Sequence, residues 1–355
     1  MRRTSIVGSV VGLALVLAAS AARSDGGYLD RTFGTPGRVT TAIAPKVPST
    51  SYGEWRDGYE DGMAVATDAA GRLVVVGASF TGVNYDVAVA RYLPDGRLDT
   101  SFGSSGTRLT AIGTSNDFGM DVAIDTLGRI VVAASSHNGT NFDFAVVRYT
   151  ANGNLDTSFS GDGKTTVAIG LSTNDHARAV ALDPAGRIVV AGTASNGVTS
   201  YAALTRFTAS GALDTSFSGD GKLAEPGNVS AYDVVVDSTG RPIVAGAYSN
   251  GQNAWASVLR YTVAGAPDVG GTSYSGANAD FLLLRYGAAG GLDTTFGDNL
   301  HSVGECVTGG CAGWVTTPMS GGKDIAVALT LDGSGRILLA GGAVRGFAIA
   351  RYLAD

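Results

Sequence analysis

Lysine and glutamate are nearly missing from this chain. Among 355 residues there are 4 Lys and 4 Glu, against 21 Arg and 27 Asp. Helices favour Glu and Lys over Gly and Asp, so the balance argues against a largely helical protein. Charged residues reach only 16% while hydrophobic ones make up 45%, which excludes a disordered chain. The formal charge of −6 gives no basic footprint for nucleic acid. With 2 Cys there is no disulfide-rich scaffold, and the 3 His fall outside any Cys/His ligand spacing. What abounds is glycine, 52 residues spread without the three-residue period of collagen.

The single long apolar run lies at the start. Arg2 and Arg3 precede an apolar stretch from Ile6 to Ala19, and Ser20-Ala21-Ala22 offers small residues for cleavage. That is the pattern of a secretory signal peptide over residues 1–22. The run is shorter than the roughly 20 residues a membrane span needs. Cleavage after Ala22 would leave 333 residues (355 − 22) with 23 basic and 31 acidic side chains, net −8. The expectation is a secreted or extracytoplasmic monomer, in the periplasm, at the cell surface or outside the cell. It forms one domain over 23–355, with no integral membrane segment.

Repetition decides the fold. The turn Asp-x-x-Gly-Arg occurs at 68–72, 125–129, 183–187, 237–241 and 332–336. Asp first and Gly fourth suit a type I turn, and apolar runs flank each copy, as in Val122-Ala-Ile124 and Ile130-Val-Val-Ala133. Each reads as a hairpin of two largely buried strands. Twenty residues after the first four turn glycines comes an Arg-aromatic pair: Arg91-Tyr92, Arg148-Tyr149, Arg206-Phe207 and Arg260-Tyr261. Eight residues after such an Arg stands an Asp: Asp99, Asp156, Asp214 and Asp293, with Asp268 in a degraded copy. A short segment such as Arg108–Ile112 supplies a fourth strand. Four short strands at a fixed period mark an all-β fold, a β-propeller of four-stranded blades.

The termini fit the same register. Joining Asp355 to Gly27 puts Asp30 eight places after Arg351, so the N-terminal segment is expected to complete the last blade and remove a free sheet edge. Units begin near 30, 99, 156, 214, 268 (partial) and 293. The stretch from Arg260 to Arg285 is too short for a whole unit. It reads as one that has lost about its first two strands, with Val269–Gly276 matching Val76–Gly82. Six positions with one incomplete blade are expected; five blades plus an extra hairpin is the alternative.

Leu-Asp-Thr-Ser-Phe-Gly at 98–103, Asp-x-x-Gly-Arg-Ile-Val-Val at 125–132 and Asp-Phe-Ala-Val-Val-Arg-Tyr at 143–149 resemble the delta-sixty repeat, a β-propeller repeat of secreted bacterial proteins. The resemblance implies the fold and an extracellular address. It implies no activity and no catalytic residues.

The recurrent Asp residues are expected to cap local turns, and the recurrent Arg residues to pair with them or with carbonyls. Residues needed in every blade serve the blade. Ser-Gly-Asp-Gly-Lys at 160–164 and 218–222 lacks the first Gly of a phosphate-binding loop and the helix that follows one, and reads as a turn opening a strand. His176 reads as ordinary variation between repeats. Cys306 and Cys311 are expected to form a disulfide in an oxidising compartment. No cofactor is expected; a calcium ion held by loops of several blades is the exception kept open.

Two insertions break the pattern. From the leading Asp to the turn Gly, the middle units take 29, 30 and 26 residues, the first 41 (Asp30 to Gly71) and the last 42 (Asp293 to Gly335). Tyr52, Glu54, Trp55, Tyr59 and Glu60 lie in the first insertion; His301, Glu305 and Trp314 lie in the last. Long loops on a rigid scaffold carry function, and exposed aromatics anchor partners, so these residues form the candidate binding site. The leading expectation is a secreted, non-enzymatic scaffold binding an extracellular protein or glycan. The alternatives are an extracellular carbohydrate-active enzyme, hydrolase or lyase, using the central channel or the insertions, and a structural cell-surface component.

Overall fold

The computed structural model describes residues 30–35, 37–43, 60–170, 173–225, 228–249 and 254–272, and the strands at 281–284, 314–317, 325–331, 337–343 and 346–352. Every regular element among them is a β-strand. The first blade is β1 (Glu60–Thr67), β2 (Leu73–Phe80), β3 (Tyr85–Tyr92) and β4 (Thr107–Thr110), paired in that order and antiparallel throughout. The second is β5 (Asp117–Ile124), β6 (Ile130–His137), β7 (Phe142–Tyr149) and β8 (Lys164–Val167). The third is β9 (His176–Leu182), β10 (Ile188–Ser195), β11 (Ser200–Phe207) and β12 (Lys222–Glu225). The fourth is β13 (Val229–Val236), β14 (Pro242–Ser249), β15 (Ala254–Tyr261) and β16 (Pro267–Thr272). Then come a two-stranded sheet, β17 (Phe281–Leu284) with β18 (Trp314–Thr317), and a three-stranded one, β19 (Ile325–Leu331), β20 (Ile337–Ala343) and β21 (Gly346–Tyr352).

Each expected hairpin is present. In the first, Gly71 donates to the Asp68 carbonyl and Asp68 to the Arg72 carbonyl, both at 2.9 Å. Gly71 has φ +75°, so a type I turn is followed by a left-handed residue, a three-residue hairpin loop. The Asp68 carboxylate accepts from the Ala70 and Arg72 amides and pairs with the Arg72 guanidinium at 2.6 Å. The Ser-Gly-Asp-Gly-Lys segments do open strands, at Lys164 and Lys222.

The short unit differs from expectation in one respect. Residues 267–272 pair with β15 as the fourth strand of the fourth blade, whereas the sequence match assigned Val269–Gly276 to the second strand of the short one. Among the described residues that unit comprises the two-stranded sheet, with β17 at the position of a third strand and β18 paired to it as a fourth. Glycine-rich segments with few side chains leave register weakly specified, and sequence matching alone does not separate a second strand from a fourth here.

The chain divides into two compact units, residues 1–140 with 145–166, and residues 141–144 with 167–355. In the first, β5 lies across β1, β2 and β3. In the second, β13 lies across β9, β10 and β11, and β19 across β13, β14 and β15. Alternation along the strands sets a row of apolar side chains on each covered face. Val74, Val76, Val87, Val89, Phe102, Val122, Ile130, Val132 and Tyr149 form one core. Val189, Leu204, Phe217, Val234, Val244 and Tyr261 belong to the other. Each such aliphatic side chain contributes about 1.5–3 kcal/mol.

The N-terminal segment meets the first blade as the corner and fourth strand of the first blade meet the second. Gly34 donates to the Asp95 carbonyl at 2.9 Å, as Gly103 does to Asn152. The Tyr92 hydroxyl reaches Thr41 at 2.8 Å, as Tyr149 reaches Thr110. No strand is assigned over 37–43, and the sheet of β19–β21 has three strands, so the expected fourth strand is not formed among the described residues.

Candidate functional site

Three arginines organise the blade corners. Arg91, Arg148 and Arg206 are almost wholly buried. Their Nε atoms donate to Asp99, Asp156 and Asp214 at 2.8, 2.8 and 2.7 Å. Their Nη2 atoms reach Ser101, Ser158 and Ser216, and their guanidinium carbons lie 4.7, 4.7 and 4.8 Å from the rings of Phe102, Phe159 and Phe217. Arg91 also donates to the Ala151 carbonyl and Arg206 to the Val263 carbonyl, each on the following blade. The Asp99 carboxylate caps its turn by accepting from the Ser101 amide. Burial pushes the Asp99 carboxyl up, but hydrogen bonds from Ser101 and the charge of Arg91 outweigh it and hold its pKa below the usual range. Asp156 and Asp214 follow the same pattern. These repeated residues build the blade, as expected.

What escapes the repeat is a cavity of about 280 Å³ in the first unit, lined by Asp61, Met63, Ala78, Tyr85, Phe118 and Met120. It exists because β1 and β5 are bulged: the pairing with β2 and β6 slips between Gly62 and Ala64 and between Gly119 and Asp121. The extra residues are Met63 and Met120. A bulge re-aims a side chain, and both thioethers point into the cavity. Room for the first bulge depends on Gly77, where a Cβ would come within 1.6 Å of the Asp61 carbonyl oxygen. Aromatic rings close one side: Phe80 and Tyr85 are 5.2 Å apart and Tyr85 and Phe118 5.5 Å. Asp61 is exposed and brings a carboxylate to an otherwise apolar wall. At the corresponding bulge in the second unit Arg178 lies 5.3 Å from the Tyr232 ring, so the methionine-lined wall belongs to the first unit.

Around this cavity runs a polar seam. Asn116 Oδ1 accepts from the Tyr85 amide at 3.0 Å, and Asn84 donates to the Ser115 carbonyl at 2.7 Å. Asp117 Oδ2 accepts from the Ile112 and Gly113 amides. The same arrangement recurs in the second unit, where Asn174 accepts from Phe142 and Asp175 Oδ2 from Ile169 and Gly170. Asp86 faces Asp117; burial, then the Asp117 charge, raises its pKa. Among the described residues no three His, Cys, Asp or Glu side chains gather as a metal site.

Of the expected site residues, Glu60 opens β1, accepts from the Ile43 amide at 2.5 Å and does not line the cavity. Trp314 opens β18. Tyr52, Glu54, Trp55, Tyr59, His301, Glu305, Cys306 and Cys311 lie outside the described residues. His137 sits at the end of β6 and accepts from the Gly139 amide at 3.1 Å. Burial, then the neighbouring Arg178, lowers the pKa of His176, which stacks beside Phe142 at 5.1 Å. Sequence reasoning missed Asp61, Met63, Tyr85, Phe118 and Met120. The available signal was departure from the repeat, since Phe118, His176 and Ser230 take the place of Asp61 in later blades.

Sheets and corners together define a β-propeller repeat protein. The family described as "Domain of unknown function (DUF5122) beta-propeller" matches residues 71–102, 128–159 and 184–217. No functionally curated protein matches the chain. Solved structures similar to it include a gluconolactonase from Xanthomonas campestris, 15% identical over 81% of this chain and 71% of that one, with TM-score 0.39. An endo-arabinase from Bacteroides thetaiotaomicron is 9% identical over 81% and 91%, TM-score 0.33. A mannose phosphorylase from Leishmania mexicana is 11% identical over 82% and 81%, TM-score 0.34. The expectation of a non-enzymatic scaffold is corrected by these neighbours, which are enzymes. Likeness at such TM-scores transfers no activity, and any reaction has to be argued from this chain's own residues.

Proposed function

We propose that this protein is an extracytoplasmic carbohydrate-active hydrolase, with the cavity of the first unit as its substrate site. One observation carries the reading: a solvent-reached carboxylate, Asp61, on the wall of an aromatic-lined cavity, at a position where the next three blades carry Phe118, His176 and Ser230. Tyr85 and Phe118 offer ring faces for the apolar face of a sugar. Glycoside hydrolysis needs a proton donor and a base or nucleophile. Asp61 is taken as one of the pair, and Glu54, in the insertion that runs into β1, as the first candidate for the other. The delta-sixty resemblance and the N-terminal signal pattern support an address outside the cytoplasm, where such polymers are met.

The test is release of reducing sugar from a panel of plant, fungal and bacterial polysaccharides by the purified protein. Asp61→Asn and Glu54→Gln should each lower kcat about a hundredfold or more while leaving the melting temperature unchanged. Absence of turnover across the panel by a folded protein, or full activity in Asp61→Asn, would sink the reading.

A further inference from the structure

Two acidic side chains meet at the seam beside the cavity, and their inner oxygens are left over. Asp117 is fully buried. Its Oδ2 takes two backbone amides, while its Oδ1 has no hydrogen-bond partner. The Oδ1 of Asp86 is likewise enclosed and without a partner. The two carboxylates repel each other, yet no hydrogen bond joins them. A proton shared directly between their oxygens would form one. Leaving such groups unsatisfied costs about 1–3 kcal/mol each, and more when charged. A buried acceptor of this kind calls for a missing partner, water or ion.

The same orphan returns one blade later. Asp175 is fully buried, its Oδ2 holds the Ile169 and Gly170 amides, and its Oδ1 has no partner. Asp143 stands at the position of Asp86 in the next repeat, directly after Phe142, whose carbonyl accepts from the Asp175 amide at 2.7 Å. Both seams carry Asn-Asp, 116–117 and 174–175, with the Asn fixing the facing strand in each. One orphan carboxylate oxygen is an irregularity; a repeated one is a feature of the junction.

We propose that each seam binds a divalent cation, with Ca²⁺ as the expected ion, held by Asp86 and Asp117 at the first and by Asp143 and Asp175 at the second. Carboxylate oxygens without nitrogen or sulfur donors suit hard cations. Ca²⁺ accepts irregular shells completed by carbonyls and water, whereas Mg²⁺ demands a near-ideal octahedron. Two carboxylates per ion put the affinity in the range of extracellular modules, about 10⁻⁴–10⁻³ M. The ion would tie the loop ahead of β5 to β3, next to the residues that shape the cavity.

Two measurements on the full protein, stripped with EDTA, test the proposal. The first is thermal unfolding with and without millimolar Ca²⁺ or Mg²⁺; the second is a Tb³⁺ titration read through tyrosine-sensitised emission, for which Tyr85 is suitably placed. Expected are a rise of several degrees with Ca²⁺, a smaller one with Mg²⁺, and saturable Tb³⁺ emission that Ca²⁺ displaces. Asp86→Asn, an isostere free of the repulsion, should raise the metal-free melting temperature and lose most of the Tb³⁺ signal at the first seam. Asp220→Asn, on an exposed turn, should change neither. A melting temperature indifferent to Ca²⁺ with no saturable Tb³⁺ signal overturns the proposal. So does a wild-type protein whose stability responds to pH in place of Ca²⁺, because the pair would then be holding a proton.

Discussion

At the scale of the residue, the buried arginines concentrate the energetics. Arg148 Nε donates to Asp156 and Nη2 to Ser158, beneath the Phe159 ring, so no single replacement keeps charge, fork and plane together. Arg148→Ala should cost about 3–5 kcal/mol, the range for breaking a buried pair from one side, read from urea unfolding. The carboxylates of Asp99, Asp156 and Asp214 have folded pKa values below the ordinary one. Their contribution is therefore fully present above the unfolded value, near pH 4, and is lost as pH falls through the lower folded values. Melting temperature should hold from neutrality to about pH 5 and then fall steeply. A flat profile down to about pH 3 would show that the corners do not depend on their charge. This chemistry could be read in advance, since an Arg and an Asp eight places apart recur with the blade.

At the scale of the element, hairpins were legible and bulges were not. Asp68, Gly71 and Arg72 announce a turn through residue types that only that geometry uses. A bulge leaves a fainter mark. It shows as a glycine on the facing strand, Gly77, Gly192 and Gly246 in three blades, and in the second blade Ala134 takes that place. The cavity therefore stayed hidden, because Met63 and Met120 read as ordinary strand residues until the slip in pairing turns them inward. Gly77→Ala should cost about 1–3 kcal/mol by overpacking and should abolish whatever binds in the cavity. If the variant is as stable as the parent, the Asp61 carbonyl can move and the bulge does not require glycine there. The insertions, by contrast, were legible as departures from the period and carry no geometry that the repeat could supply.

At the scale of the whole molecule, repetition in the sequence predicted the series of four-stranded sheets, and β17 and β18 are the strands described where the short unit was expected. Its second-strand assignment failed because a Gly-rich segment satisfies two matches at once. The N-terminal segment has a measurable role. Glu60 relies on the Ile43 amide, Tyr92 on Thr41, and the face of Gly96 is covered by Phe33. Deleting residues 23–43 should therefore speed hydrogen exchange in β1–β4 while leaving β9–β12 at wild-type protection. Equal protection in both would show that the segment is an idle leader.

Residues 71–102 and 128–159 begin at a turn glycine and residues 184–217 at Pro184, two places before one; all three begin inside one blade and end on a phenylalanine. Phe102 lies against Gly153 and Phe217 against Gly265, both on the blade that follows. The module written in the sequence and the sheet seen in the structure are thus out of phase, laid like courses of overlapping brick. A cut along a sheet boundary strands a phenylalanine plug on one side and opens an arginine's acceptor on the other. Copying one internal module in phase with the sequence hands each socket the plug it already fits. Evolution by duplication is easy along one set of boundaries and closed along the other, and a designer who wishes to lengthen this protein should cut at the turn glycines.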